Sequence, residues 1–285
     1  MTETLVIRLR AHDEAPASWL IVDENGLRSG TVSNGPVADA LSVAQGRKVE
    51  LLLPATEVSL ALPELPVKGG ARLAQAVPFA LEEQLATDVD ALHFAVGTRP
   101  ADSNLTPVAT VSRVLLDRWL GTCQLAGIHP AAAYCESQAV PVSPNVCTLL
   151  LDEGVLFVRR AEGVPYALDA QPLASALEMA LGPAVEPGEH VVFYASSAEY
   201  EQEKVLIEGL RARTATLQVK LLPDGGLPLL AAHLKAGDPA NLPESARQSV
   251  LGRMVEDGRP DADMLGNLIY MVETGRYDSH ALFRW

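Results

Sequence analysis

One arrangement of short apolar runs occurs twice in this 285-residue chain and limits the folds that the chain can adopt. The first copy opens with an alternating run at residues 4–10, which predicts a half-buried strand. Apolar runs at residues 19–22 and 27–32 follow, on either side of the sequence Asp-Glu-Asn-Gly at 23–26. Asn-Gly favours a type I′ hairpin turn, so these two runs are predicted to form a β-hairpin. A short helix at 37–44 and a strand at 49–53, ended by Pro54, complete the copy.

The second copy begins at residue 146 and repeats this opening. Runs at 146–151 and 155–159 flank Asp-Glu-Gly at 152–154, which predicts another hairpin, and residues 166–168 add a third strand. Helices at 173–181, 198–213 and 227–234 then alternate with strands at 191–194 and 217–222. Ser196 followed by Glu199 is the sequence of a capping box at the second of these helices.

Three strands, then helix, strand, helix and strand, is the order of ribonuclease H-like folds. Because the order opens twice, we predict an α/β protein with mixed sheets and a duplicated, actin-like fold. Residues 1–140 would form the first half, with an inserted subdomain at about 55–100 (57–97 on the sequence pattern) and a strand and helix at 108–127. Residues 141–236 would form the second half. Residues 237–285 are polar and rich in Pro, Gly and Asp, which indicates a linker and juxtamembrane tail.

The charge and cysteine content exclude several classes of function. The chain has 36 acidic and 22 basic residues and a net charge of -14, which opposes binding to nucleic acid. The three cysteines, an odd number, are twelve residues apart, so the sequence predicts neither a disulfide framework nor a metal site. No run approaches the roughly 18 to 20 apolar residues that cross a bilayer, and residues 1–10 do not resemble a signal peptide. We therefore expect a soluble chain.

The chemistries of ribonuclease H-like and actin-like folds each require side chains that this sequence lacks. A two-metal nuclease needs a carboxylate on its first strand, and residues 4–10 contain no Asp or Glu. An actin-like ATPase needs Gly-rich hairpins that cradle phosphates, whereas the second hairpin continues with Val155, Leu156 and Phe157. Asp-Gly-Gly at 224–226 resembles an adenosine-side loop, but a turn before the next helix explains it equally well. An actin-like protein that still binds ATP stays open as the alternative.

The remaining polar residues have simpler structural interpretations. His93 is expected to be a packed or half-exposed strand histidine, and Asp88 with Asp90 a solvated helix end. Ser196 lacks the Gly-x-Ser-x-Gly sequence of a nucleophile elbow. Trp19 and Trp119 are predicted to anchor the core. The sequence therefore predicts no catalytic, cofactor-binding or metal-binding residues, and no enzymatic activity.

The most distinctive segment of the chain spans residues 71–97. Its first part predicts an amphipathic helix in which apolar residues recur every four positions, at Leu73, Val77, Leu81 and Leu85. Pro78 lies inside this helix and is expected to kink it. Glu82 and Glu83 are expected to face outward, and a half-buried strand follows.

This segment resembles the cytoplasmic domain of type II secretion system protein L. Members of that family carry Ala-x-Pro-Phe/Tyr-Ala-Leu-Glu-Glu-Gln-Leu, then Asp residues and Leu-His-Phe-Ala, which this chain matches at residues 76–95. Leu-Leu-Leu-Pro at 51–54, Leu-Pro-Glu-Leu-Pro at 62–66 and the hairpin at 19–30 also fit the family. The resemblance is specific to about residue 97 and collinear to about residue 235. Beyond there, Asn-Leu at 241–242 and at 267–268 compete for the short segment that precedes the membrane helix in the family.

The resemblance implies a scaffold function and a set of partners. Proteins of this family recruit the secretion ATPase, protein E, through its N-terminal domain and hold it at the cytoplasmic face of the bacterial inner membrane for protein export. They pair with protein M and other inner-membrane platform proteins, form dimers, and use no cofactor. They are bitopic, so this chain would be a soluble fragment that contacts the membrane only through a transmembrane helix outside it. The acidic total favours Glu82, Glu83 and Asp88 as partner-binding residues.

Overall fold

The computed structural model describes residues 3–12, 15–65, 71–97, 99, 104–182 and 189–236. These residues divide into two compact units, of which the first ends at Gln138 and the second begins at Ala139. Each unit contains one five-stranded sheet, and the first unit also contains a three-stranded sheet. The predicted linker and tail at 237–285 lies outside the described residues.

The first unit contains eight strands and three helices among its described residues. The strands are β1 Thr4–Arg8, β2 Ala17–Val22, β3 Arg28–Gly35, β4 Lys48–Leu53, β5 Val58–Ala61, β6 Leu92–Val96, β7 Val108–Ser112 and β8 Ala132–Cys135. The helices are α1 Leu41–Ala44, α2 Ala71–Leu81 and α3 Arg113–Leu125. The predicted helix at 37–44 is in fact a 3-10 turn, Val37–Ala40, that continues into α1.

The five-stranded sheet has the order β3-β2-β1-β4-β8, so β1 lies at its centre. Strands β1, β4 and β8 are parallel, and β2 runs antiparallel to both β1 and β3. The prediction of a half-buried first strand is wrong, because every residue of β1 is buried, including Arg8. A parallel pair at the centre of a sheet is covered on both faces, so alternation is not expected there. Strand β8 was not predicted, since its Ala-Ala-Tyr-Cys sequence is short.

The hairpin between β2 and β3 is confirmed, but its turn is not of type I′. That type requires a positive φ at both central residues, and of the residues at 23–26 only Gly26, at φ 78°, has one. The Asp23 carboxylate instead accepts hydrogen bonds from the backbone N–H groups of Asn25 and Leu27, both at 2.8 Å. The aspartate therefore closes a longer loop than Asn-Gly alone would form.

The three-stranded sheet has the order β5-β7-β6, and both of its strand pairs are antiparallel. The strand predicted at residue 108 is β7, the central strand of this sheet. Helix α2 contributes Val77 and Leu81 to a core cluster with Leu65 and Val108. The helix ends at Leu81, earlier than the predicted pattern that included Leu85, and continues as a 3-10 turn, Glu82–Gln84.

The second unit repeats the topology of the first sheet. Its strands are β9 Val146–Asp152, β10 Val155–Arg159, β11 Tyr166–Asp169, β12 His190–Ser196 and β13 Thr216–Leu222. Its helices are α4 Leu173–Leu181, α5 Ser197–Gly209 and α6 Leu227–Ala236. The sheet order β11-β10-β9-β12-β13 equals β3-β2-β1-β4-β8 position by position, with the same parallel and antiparallel pairs. The predicted duplication is therefore confirmed.

Helix α5 begins at Ser197, one residue before its predicted start, and the predicted capping box forms. The Ser196 hydroxyl accepts a hydrogen bond from the Glu199 backbone N–H at 3.2 Å, and the Glu199 carboxylate accepts one from the Ser196 N–H at 3.4 Å. The α-helix ends at Gly209 and a 3-10 turn, Leu210–Ala212, follows it. Ile207 and Leu210 join the core cluster of the second sheet.

Candidate functional site

The carboxyl edge of the first sheet is closed by a buried ion pair. Arg8 is the last residue of β1, and Glu136 directly follows β8. The Arg8 guanidinium donates to the Glu136 carboxylate, and the two side chains are only 4% and 6% exposed. The second carboxylate oxygen accepts a hydrogen bond from the Ala55 backbone N–H at 3.0 Å. The edge where the parallel strands end is thus bridged by side chains of the same unit.

This arrangement places a positive charge where a two-metal nuclease would carry an acid. A metal ion at the end of β1 would meet the Arg8 guanidinium, and Glu136 is already bound to that group and to Ala55. Within the described ranges, no group of three or more His, Cys, Asp and Glu side chains could hold a metal ion. Sequence reasoning missed Glu136. The available signal was Arg8 itself, because an arginine on an apolar strand requires a buried acid.

In the second unit, the hairpin aspartate binds the start of a helix. Asp152 is the last residue of β9 and is 3% exposed. Its Oδ1 atom accepts a hydrogen bond at 2.8 Å from the backbone N–H of Gly226, the residue before α6. The first turn of α6 bonds back to the Gly226 carbonyl at 3.0 Å. Asp152 therefore places a negative charge at the positive end of α6 and satisfies one of its unpaired donors.

The glycines of the 224–226 loop allow this close approach. A Cβ atom on Gly226 would lie 2.6 Å from the Asp152 Oδ2 atom, which is closer than real Cβ contacts come. Gly225 has a φ of 73°, which favours glycine. The Asp-Gly-Gly sequence that resembled an adenosine-side loop thus accommodates a carboxylate of its own unit.

The predicted partner-binding residues Glu82, Glu83 and Asp88 are all exposed on one short stretch after α2. Glu82 and Glu83 begin the 3-10 turn that continues the helix. Asp88, predicted to be a solvated helix end, is exposed and lies beyond α2. It caps a separate 3-10 turn, Val89–Ala91, by accepting a hydrogen bond from the Asp90 backbone N–H at 3.0 Å. No described residue forms an ion pair with any of the three carboxylates.

The other residues considered in the sequence are structural. Trp19 and Trp119 are buried, as predicted, and the Trp119 indole N–H donates to the Arg10 carbonyl at 3.1 Å. His93 is half-buried in β6, where burial and the nearby Arg113 lower its pKa. Cys123, Cys135 and Cys147 are buried free thiols. Burial raises the pKa of Cys123 to about 11 and that of the other two to about 12, which leaves their thiolates scarce at neutral pH.

With the fold and these contacts described, the chain can be compared with known proteins. The sequence profile of the family "Type II secretion system (T2SS), protein L" matches residues 5–234. The chain belongs to the type II secretion system protein L family. The match covers both five-stranded sheets, which agrees with the resemblance first seen at residues 71–97.

Individual members of the protein L family are similar at moderate identity. Protein L of Pectobacterium carotovorum is 27% identical over 253 residues, which cover 87% of this chain and 58% of the relative. Protein L of Dickeya chrysanthemi is 28% identical over 186 residues, which cover 64% of this chain and 46% of the relative. The chain therefore spans about half the length of these relatives.

Two solved structures confirm the fold class. One is the cytoplasmic domain of EpsL, an inner-membrane component of the type II secretion system of Vibrio cholerae, with a TM-score of 0.60 and 22% identity. The match covers 82% of this chain and 94% of that one. The PilM-PilN type IV pilus biogenesis complex aligns with a TM-score of 0.56 and 13% identity, covering 83% of this chain and 99% of that one. The predicted actin-like α/β fold is thereby confirmed.

Of the helices in the described ranges, none is both long and apolar enough to cross a bilayer.

Proposed function

We propose that this chain is a non-catalytic docking module of the type II secretion system, which recruits the secretion ATPase, protein E, to the bacterial inner membrane. The chain would act at the cytoplasmic face of that membrane, as the cytoplasmic domain of EpsL does in its own system. Protein M, other platform proteins and a second copy of the chain are the further partners.

One observation supports this proposal above the others: the acids at the hairpins and sheet edge serve internal bonds. Asp23 closes its own loop, Asp152 binds the Gly226 N–H, and the buried Glu136 pairs with Arg8 at the end of β1. A magnesium-bound phosphate needs such carboxylates unoccupied and pointing at it. The fold is thus retained without the side-chain arrangement of a nucleotide site, which favours a role in binding another protein.

Membership of the protein L family supports the choice of partner. The family match covers residues 5–234, which include all but the first residue of the thirteen strands in the described ranges. The recruiting of the ATPase is an inference from the resemblance of residues 71–97 to the cytoplasmic domains of that family. The net charge of -14 favours a partner whose contact surface is basic.

The proposal is tested by mixing the purified chain with the secretion ATPase of the same organism. Size-exclusion chromatography with light scattering should show one co-eluting complex at micromolar concentrations. Protein L chains from an unrelated secretion system provide the control for specificity. Separate elution at these concentrations would contradict the proposed function.

A further inference from the structure

Phe79 is an exposed aromatic side chain on α2, a helix that packs other apolar residues into the core. It is 76% exposed, whereas the other described Phe, Tyr and Trp side chains are buried or half-buried. Val77 and Leu81, on either side of it in α2, are 0% and 2% exposed and belong to a core cluster. The residues on either side of Phe79 are therefore anchored in the core while its ring faces solvent. Rigid aromatic side chains of this kind are over-represented among the residues that dominate protein interfaces.

The exposed face of α2 continues from Phe79 into two carboxylates. Glu82 and Glu83 follow Phe79 by three and four residues, the spacing of neighbours on one side of a helical segment. Glu82 is the first residue of the 3-10 turn that continues α2, so it remains within one turn of Phe79 along the chain. Asp88, after the turn, adds a third exposed carboxylate.

These carboxylates have no ion-pair partner in the part of the chain that the structure describes. None of Glu82, Glu83 and Asp88 forms an ion pair with a described residue, although surface pairs such as Arg47 with Glu3 do form elsewhere in the same unit. A basic partner surface would therefore gain attraction here without first breaking an ion pair to a described residue. An apolar ring beside exposed carboxylates fits a partner with an apolar pocket bordered by Lys and Arg.

We propose that Phe79 is the anchor of the contact with the secretion ATPase, and that it inserts into an apolar pocket on the ATPase whose basic rim faces Glu82, Glu83 and Asp88. This inference rests on the proposed docking function and adds to it a surface and a principal residue. The contact would be centred on the inserted subdomain of the first unit. The ring supplies most of the affinity, and the carboxylates mainly speed association.

The test measures binding of Phe79→Ala to the full secretion ATPase by calorimetry. We expect the affinity to fall at least about 30-fold, the loss that defines a dominant interface residue. Leu125→Ala is the matched control, because Leu125 is an apolar side chain at 92% exposure in the same unit. It should change the affinity by less than about twofold, as expected of a residue outside the contact. Thermal unfolding should be unaltered in both variants, since both side chains are exposed.

A second experiment tests the carboxylates by their effect on the rate of association with the ATPase. Glu83→Lys should slow association, and the difference from the native chain should shrink as salt is raised. Glu24→Lys, an equal charge change in the exposed loop between β2 and β3, should leave the rate close to that of the native chain.

Each outcome separates this inference from the docking function. If the native chain binds the ATPase and Phe79→Ala binds equally well, the surface is wrong and the docking function stands. If the native chain does not bind, both proposals fail. If Phe79→Ala abolishes self-association and leaves ATPase affinity unaltered, the ring contacts a second copy of the chain and the inference is overturned.

Discussion

Arg8 places a guanidinium on a strand whose other residues are apolar or carry a hydroxyl, with both faces covered. Replacing it by methionine would leave the Glu136 carboxylate buried without its cation. We expect Arg8→Met to lower the free energy of unfolding by about 3–5 kcal/mol, the usual cost of breaking a buried pair from one side. Urea unfolding followed by circular dichroism measures the change.

A second variant separates charge from packing at the same position. Arg8→Met combined with Glu136→Gln removes both charges of this pair and keeps an oxygen for the Ala55 N–H, which donates to Glu136 at 3.0 Å. The double variant should therefore be more stable than Arg8→Met alone. Equal stability of the two would show that the loss comes from packing and not from the unpaired carboxylate.

Position 226 requires glycine because its backbone lies against the Asp152 carboxylate. A Cβ atom there would lie 2.6 Å from the carboxylate, so Gly226→Ala should force the hairpin away from α6. We expect a loss of about 1–3 kcal/mol in the free energy of unfolding, the range for overpacked sites. Gly209→Ala, at the end of α5 with nothing within 4 Å of the added Cβ, is the control and should stabilise by up to about 1 kcal/mol. Unchanged stability of Gly226→Ala would contradict the close approach.

The sequence could indicate that Arg8 needs a partner but not which acid supplies it. Glu136 lies 128 residues away and follows a strand too short to be predicted. The contact of Asp152 with Gly226 could not be predicted for the same reason, since it joins residues 74 positions apart. Contacts of this kind depend on which strands become neighbours, and periodicity carries no information about that.

At the scale of single elements, sequence patterns predicted the structure correctly where the residues that form it are neighbours in the chain. Ser196 and Glu199 form the predicted capping box within four consecutive residues. The hairpin at Asp23 formed, but its loop closed through a side chain and not through the turn type that Asn-Gly favours. Strand β7 was predicted as a strand, yet its place between β5 and β6 followed from pairing with residues far away in sequence.

The capping box of α5 gives a prediction at this scale. Ser196→Ala removes the acceptor for the Glu199 N–H, which should cost about 1 kcal/mol. Ser197→Ala, one residue into the helix, is the matched control and should have little effect. Urea unfolding monitored by circular dichroism distinguishes the two. A larger loss from Ser197→Ala than from Ser196→Ala would contradict the assignment of the cap.

For the whole molecule, we expect Mg-ATP to leave the thermal unfolding curve unchanged. A ligand at 100 times its dissociation constant would stabilise the fold by about 2.7 kcal/mol, which differential scanning fluorimetry would detect. Magnesium with inorganic phosphate is the control for ionic effects. A saturable rise in Tm with Mg-ATP alone would contradict the proposed absence of a nucleotide site and restore the ATP-binding alternative.

The duplicated topology was predictable from sequence because each copy repeats its own turn and strand order. In the second copy, Asp152 at the tip of the hairpin stabilises the start of a helix in the same unit. In this unit the backbone N–H that precedes α6 is therefore engaged by a carboxylate of the chain itself.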